Sequence, residues 1–246
     1  MAAKYVLIIS FLLATVLAEI YLSPDQVKEA RNALENPNLF EGDIAGPIDT
    51  DRSATTGERY RWPQATIPYI IDSSLNKGKA RNVIQQAMNE YHRRTCIRFV
   101  PRKKEKNYIK IFSGNGCYSH VGRTGGQQPV SLGKGCLYIG IVIHELGHAV
   151  GFFHEQSRSD RDEYLIIYLE NVDQSMKGNF FKLKPHENIL YNTFDYDSIM
   201  IYGSKSFSMN GRDTMVARNG HKLVDAFYKS KMTSSDEYRM RKMYNC

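Results

Sequence analysis

The chain has 246 residues, 42% hydrophobic and 24% charged, with a formal net charge of +7. That length suits one large domain or two small ones, and the composition excludes a disordered or fibrous chain. The basic excess is scattered, without clustered aromatics, which argues against a nucleic-acid partner.

The chain opens on Lys4 and the apolar run 5–17, YVLIISFLLATVL, with Val16 and Ala18 three residues and one residue before an expected cut. That is the layout of a signal peptide over 1–18, removed after Ala18, and it predicts secretion. The alternative, a membrane anchor, would need about 20 apolar residues. No later run is long and apolar enough to span a bilayer, so no membrane partner is expected.

Residues 19–52 hold eight acidic and three basic residues, net −5, whereas 53–246 hold 18 acidic and 29 basic, net +11. The acidic stretch reads as a leader. Ser23 caps a helix over PDQVKEARNALE, with Pro24 and Asp25 in its first turn. The helix stops near Asn36-Pro37, and NLFEGDIAGPIDTDR follows, ending at Arg52.

In the main part, a strand is predicted at Ile67–Ile71. A helix then follows from Ala80, Val83, Ile84, Ala87, Met88 and Tyr91 at helical spacing. Further strands are expected at Ile97–Val100 and Tyr108–Phe112. The Gly- and Ser-rich 113–135 reads as loop with at most one strand. A helix covers about Leu137–Val150, another is expected near Asn171–Lys182, and a last one near Ser234–Met243. Strands and helices that segregate more than they alternate predict an α+β fold.

His144-Glu145-Leu146-Gly147-His148 falls inside the helix predicted to end at Val150. Residues four apart share a helix face, so His144 and His148 can hold one zinc ion. Glu145, one step around, can act as general base. Gly151 permits a helix-ending turn that brings in His154 as third ligand. Three imidazoles and an open fourth position mark a catalytic zinc. In an oxidising compartment Cys96, Cys117, Cys136 and Cys246 should form two disulfides, and spacing alone allows three pairings.

The extended run HELGHAVGFFHEQSRSDRD resembles the astacin family of metzincin zinc metalloproteases, matching HExxHxxGFxHExxRxDRD throughout. The resemblance implies a two-lobed protease domain over 53–246, in a minimal form without EGF-like or CUB modules. It implies one Zn²⁺ per subunit, protein or peptide substrates and a monomer. Ser198–Tyr202 looks like the family's Met-turn, with Met200 as a floor under the zinc. The family most often has His where this chain has Ile201. Tyr202 would contact the zinc at rest and hydrogen-bond the tetrahedral intermediate. Peptide hydrolysis would use a zinc-activated water with Glu145 as base, and substrate would lie along an edge strand.

The resemblance extends to the leader. Phe40-Glu41-Gly42-Asp43 is similar to the FxGD motif of astacin prosegments, which makes 19–52 an inhibitory prosegment with Asp43 on the zinc. Cleavage between Arg52 and Ser53 by a trypsin-like protease would activate the chain, making Trp62 the tenth residue. Arg59 and Arg61 are alternative cut sites. Glu155 would sense the new amino terminus. The resemblance also pairs Cys117 with Cys136 and Cys96 with Cys246.

Read as structure are His92, His120, His186 and His221, at the surface or in turns. Arg158, Asp160, Arg161 and Asp162 are expected to form one buried ion-pair network. Lys229 and Lys231, in a loop that shapes the pocket in relatives, could favour acidic substrate residues or equally form a solvated face. The alternatives to an enzyme are a catalytically silent binding protein or toxin on the same fold, and a zinc-stabilised structural protein.

Overall fold

A computed structural model of the protein describes residues 21–46, 57–75 and 78–246. The expected signal peptide with its cut after Ala18, and the Arg52–Ser53 cleavage site, lie outside the described residues. No helix among the described residues is long and apolar enough to cross a membrane.

The leader contributes α1, Pro24–Leu34. Its start follows the sequence: Ser23 Oγ accepts the Gln26 N–H while the Gln26 side chain accepts the Ser23 N–H, a reciprocal cap that satisfies two orphan donors. Ala30 and Ala33 bury its inner face.

The main part opens with β1, Thr66–Ile71, and α2, Gly78–Arg94. Next come β2, Arg98–Pro101, β3, Tyr108–Phe112, β4, Cys117–Ser119, and β5, Gln127–Leu132. They form one sheet in the order β2-β1-β3-β5-β4, parallel except for β4. The expected loop over 113–135 thus holds two strands, not at most one. Its glycines sit in the turns around them. β5 is buried along most of its length, so it lacks the alternation that marks a half-exposed strand.

The helix α3, Ile139–Val150, buries eleven of its twelve residues. Its core, shared with α2 and the sheet, includes Tyr91, Ile109, Ile111, Ile143 and Leu146. A second apolar cluster collects Leu165, Phe180, Phe194, Tyr202 and Met215 around a small sheet of β6, Leu165–Ile167, and β7, Met215–Ala217. The chain ends in α4, Ser234–Tyr244, capped by Thr233. The helix expected over Asn171–Lys182 is replaced by 3₁₀ turns at Leu169–Asn171 and Gln174–Phe180. Asp173 caps the second, and Gly178-Asn179 gives a weak helix former no means to continue. The disulfides are Cys96–Cys246 and Cys117–Cys136, the pairing that the resemblance implied. The first ties the end of the chain to the strand lobe across 150 residues.

Candidate metal and catalytic site

The site forms where α3 ends between the two cores. Gly151 adopts φ 132° and its N–H caps the carbonyls of Gly147 and His148. A side chain there would be strained, so the glycine lets the chain double back and bring His154 beside His144 and His148. The three imidazoles are 2%, 0% and 1% exposed, in the order His144, His148, His154.

Each ring is oriented through its Nδ1. His144 Nδ1–H donates to the carbonyl of Ile199 at 2.8 Å and His148 Nδ1–H to that of Phe152 at 2.7 Å. His154 Nδ1–H donates to Glu41 Oε2 at 2.5 Å. A proton on each Nδ1 leaves each Nε2 with a lone pair. His144 Nε2 lies 3.1 Å from the Nε2 of both His148 and His154 and from Asp43 Oδ2, and His154 Nε2 lies 3.2 Å from that oxygen. Lone pairs facing one another at that distance repel unless a cation lies between them. Zinc bonds of about 2.0–2.1 Å in a tetrahedron put donors about 3.3 Å apart. Asp43, His144, His148 and His154 thus form a buried donor set that fits zinc.

Asp43 is 1% exposed, and its Oδ1 has no hydrogen-bond donor. Burial opposes its charge, yet His154 and His148 hold its carboxyl well below the usual carboxylate range. Glu145 is fully buried, with both oxygens unpartnered. Burial, and then the nearby Asp43 carboxylate, push Glu145 well above the usual range. A buried carboxyl without partners, next in sequence to His144, is a candidate for proton transfer.

Residues 40–46 of the leader cross the site. The Asp43 carbonyl accepts the Ser119 N–H at 2.9 Å and the Ala45 N–H donates back to Ser119 at 2.8 Å, in a parallel bridge between Ile44 and Ser119. The leader therefore occupies the edge at β4 where an extended substrate was expected. Glu41, with φ 49°, is the residue that the sequence reading missed. It is 1% exposed; its carboxylate takes His154 Nδ1–H and, at 2.5 Å, the Ser157 hydroxyl. Its carbonyl accepts the Tyr202 hydroxyl at 2.5 Å. In this leader-bound form Tyr202 is thus committed to Glu41, and Asp43 is the fourth donor.

The segment around Met200 is fixed by Asp236 of α4. One Asp236 oxygen accepts the Ser198 hydroxyl at 2.6 Å and the other the Ile199 N–H at 2.9 Å. Met200 is buried, with its sulfur against Gly147 of α3, and Ile201 packs into the second core.

Glu155 is also buried and already paired. Its carboxylate takes Arg239, Arg158 at 3.1 Å and the Asp195 N–H at 2.8 Å. A cavity of about 60 Å³ adjoins Glu155 and Arg239. Trp62 is buried, and its indole N–H donates to Ala149 at 2.8 Å.

The expected single network of Arg158, Asp160, Arg161 and Asp162 is instead two separate pairs. Arg158 holds Asp160 at 2.8 Å, and Arg161 holds Asp162 at 3.1 Å, where Asp162 is 56% exposed and also binds Lys182. The missing member was Arg239. His92 lies in the last turn of α2, where its Nε2 accepts the Phe99 N–H at 3.0 Å. His221 meets Asp197 at 2.9 Å, and His186 is exposed beside Glu187. His120 stands against Gly46. Lys231 is exposed. Lys229 is not a solvated cation: burial pulls it down to about 8, and its ammonium donates to the Ser198 carbonyl at 2.7 Å.

Comparison with known proteins agrees with this geometry. The peptidase family described as astacin matches residues 54–245. The astacin-like metalloprotease toxin 1 of Loxosceles intermedia is 37% identical over 251 residues, covering 99% of this chain and 93% of the toxin. Zinc metalloproteinase nas-13 of Caenorhabditis elegans is 40% identical over 87% of this chain, which spans only 52% of that relative. Among solved structures, high choriolytic enzyme 1, a hatching enzyme zinc-protease from Oryzias latipes, superposes with a TM-score of 0.67 at 36% identity. That match covers 83% of this chain and 100% of the hatching enzyme.

Proposed function

We propose that this chain, which belongs to the astacin family and is therefore a zinc metalloendopeptidase, is made as a silent precursor and cleaves protein or peptide substrates once its leader is cut away. The observation that carries this reading is the Asp43 carboxylate seated among the Nε2 atoms of His144, His148 and His154.

In the active form His144, His148 and His154 hold the zinc. Zinc held there would supply Lewis acidity toward the scissile carbonyl and a water. Glu145 takes a proton from that water and returns it to the leaving amine. Its two unpartnered oxygens support this role. The leader obstructs each part: Asp43 sits among the three imidazoles, burial with the Asp43 carboxylate beside it pushes Glu145 up, and Glu41 holds the Tyr202 hydroxyl. Released from Glu41, Tyr202 donates to the developing oxyanion. Met200 supports the ligand turn from below.

Activation is cleavage between Arg52 and Ser53 by a trypsin-like protease, which separates 19–52 from 53–246. The new Ser53 amino terminus then reaches Glu155, through the cavity that adjoins it. The expected signal peptide, the two disulfides and the toxin and hatching-enzyme relatives together support secretion. The toxin relative is itself named a metalloprotease, so likeness to it lends nothing to a catalytically silent reading.

The test is to treat the purified precursor with trypsin, inhibit the trypsin, and follow casein or gelatin hydrolysis with and without a zinc chelator. Activity should appear on cutting and vanish with the chelator. A cut chain without chelator-sensitive hydrolysis would refute the proposal.

A further inference from the structure

Besides Asp43 and Glu41, a third leader residue lines the space beside the site. Arg31 reaches from α1 into the main domain, where its Nη2 donates to Asp225 Oδ2 at 2.8 Å. The Asp225 side chain is 11% exposed. The pair shares one cavity with Glu35 and Asp43 of the leader and with His144 and Tyr202. The cavity thus runs from the metal-ligand cluster to a carboxylate. His144, Tyr202 and Asp225 thus face one space, which the leader lines with Arg31, Glu35 and Asp43.

Asp225 is fixed before any guest arrives. Its Oδ1 accepts the Gly203 N–H at 3.0 Å and the Ser206 hydroxyl at 3.4 Å. A Cβ at position 203 would lie 2.3 Å from that oxygen, so only glycine permits the approach. Oδ2 is left to meet a cation. Lys229 is the nearby rival, but its ammonium is committed to the Ser198 carbonyl and does not line the cavity. That withdraws Lys229, though not the exposed Lys231, as a source of preference for acidic substrates.

We infer that Asp225 is a specificity-determining residue. In the cut enzyme it selects substrates with arginine or lysine beside the scissile bond, and Arg31 occupies that cation's place in the uncut chain. The inference rests on the proposed function, because Asp225 becomes available only when the leader departs. The logic is that of any buried carboxylate with preformed donors: it favours a cation, and it leaves an apolar or acidic guest with an uncompensated charge.

The test uses the cut protein and two sets of peptides, one varying the residue before the scissile bond and one the residue after it. At one of these positions, Arg and Lys should exceed Leu in kcat/KM by about tenfold, with Glu lowest. In Asp225→Asn, which keeps an acceptor for Gly203, the Arg-to-Leu ratio should fall toward one. An acidic preference, no charge preference at either position, or an unchanged ratio in the variant would overturn the inference while leaving the enzyme active. A chain that cuts none of the peptides contradicts the proposed function instead, and a binding measurement then decides. A peptide of residues 21–46 should bind the cut protein about tenfold more weakly with Arg31→Leu. That loss should disappear on Asp225→Asn, and an equal loss on both proteins would overturn the inference.

Discussion

The two walls of the site are built from opposite kinds of chain. One is α3, regular, apolar and buried along nearly all of its length. The other is residues 40–46 of the leader, with positive φ at Glu41, Gly42 and Gly46 and a single bridge to the sheet. The permanent wall is held by burial, at roughly 25 cal/mol per Å² of apolar surface. The removable wall is held by a few polar contacts, among them Asp43 to the histidines, Glu41 to His154 and Ser157, and the backbone pair at Ser119. The ligands divide along the same line. His144 and His148 are aimed by carbonyls of the main domain, whereas His154 is aimed by Glu41. Residues 40–46 therefore do more than seat Asp43 among the imidazoles: through Glu41 they orient one of them.

Breaking the permanent wall should have the largest effect. Glu145→Ala in the cut protein should lower casein hydrolysis by about 10³-fold or more. Zinc content, measured by atomic absorption, should stay at one per chain; loss of the metal as well would contradict the assignment of Glu145 as a base. Arg239→Leu removes one of two guanidiniums from buried Glu155. It should cost about 3 kcal/mol in a denaturant titration, and a neutral result would mean that Arg158 alone suffices.

Changes in the removable wall should be smaller. Glu41→Gln in the uncut chain should weaken zinc retention against a competing chelator by about tenfold, since a partner of a ligating histidine is weakened. The cut chain has lost the leader and should not respond. Equal zinc retention in the uncut variant and wild type would show that His154 needs no such partner. The smallest effect concerns pH. Burial, partly offset by the Phe207 backbone and Arg31, raises Glu35 to about 7. A carboxyl raised on docking favours the docked leader most at pH below its free value near 4.5, and that contribution is lost as pH rises through 7. Limited proteolysis of the leader should thus speed up between pH 5 and 7, from this group alone, and Glu35→Gln should flatten the profile; the same pH dependence in the variant would assign it elsewhere.

What was legible in the sequence was local. His144, Glu145 and His148 lie within one helical turn or so, and Gly151 and His154 follow at once, so a single spacing rule assembled them. α1, α2, α3 and α4 were visible as caps and apolar periodicity. The buried strand β5 was hidden because it shows no alternation. The charge pairing was hidden for another reason. Glu41 finds His154 across 113 residues, Arg239 finds Glu155 across 84, and Asp236 finds Ser198 across 38. One sequence contains no signal for which of its 26 acidic residues meets which base. Nothing in the sequence therefore joins Arg158 to Arg239 through Glu155, or Arg31 to Asp225. The proposed Asp43 lock was legible only through the resemblance of Phe40–Asp43 to a family motif.

The central claim is that Asp43 keeps an otherwise competent zinc site silent. The most direct measurement is casein hydrolysis by the uncut chain, wild type against Asp43→Ala, with and without a zinc chelator. Wild type should be silent until cut, and uncut Asp43→Ala should show chelator-sensitive hydrolysis. An uncut Asp43→Ala as silent as wild type, while its cut form is fully active, would contradict the account.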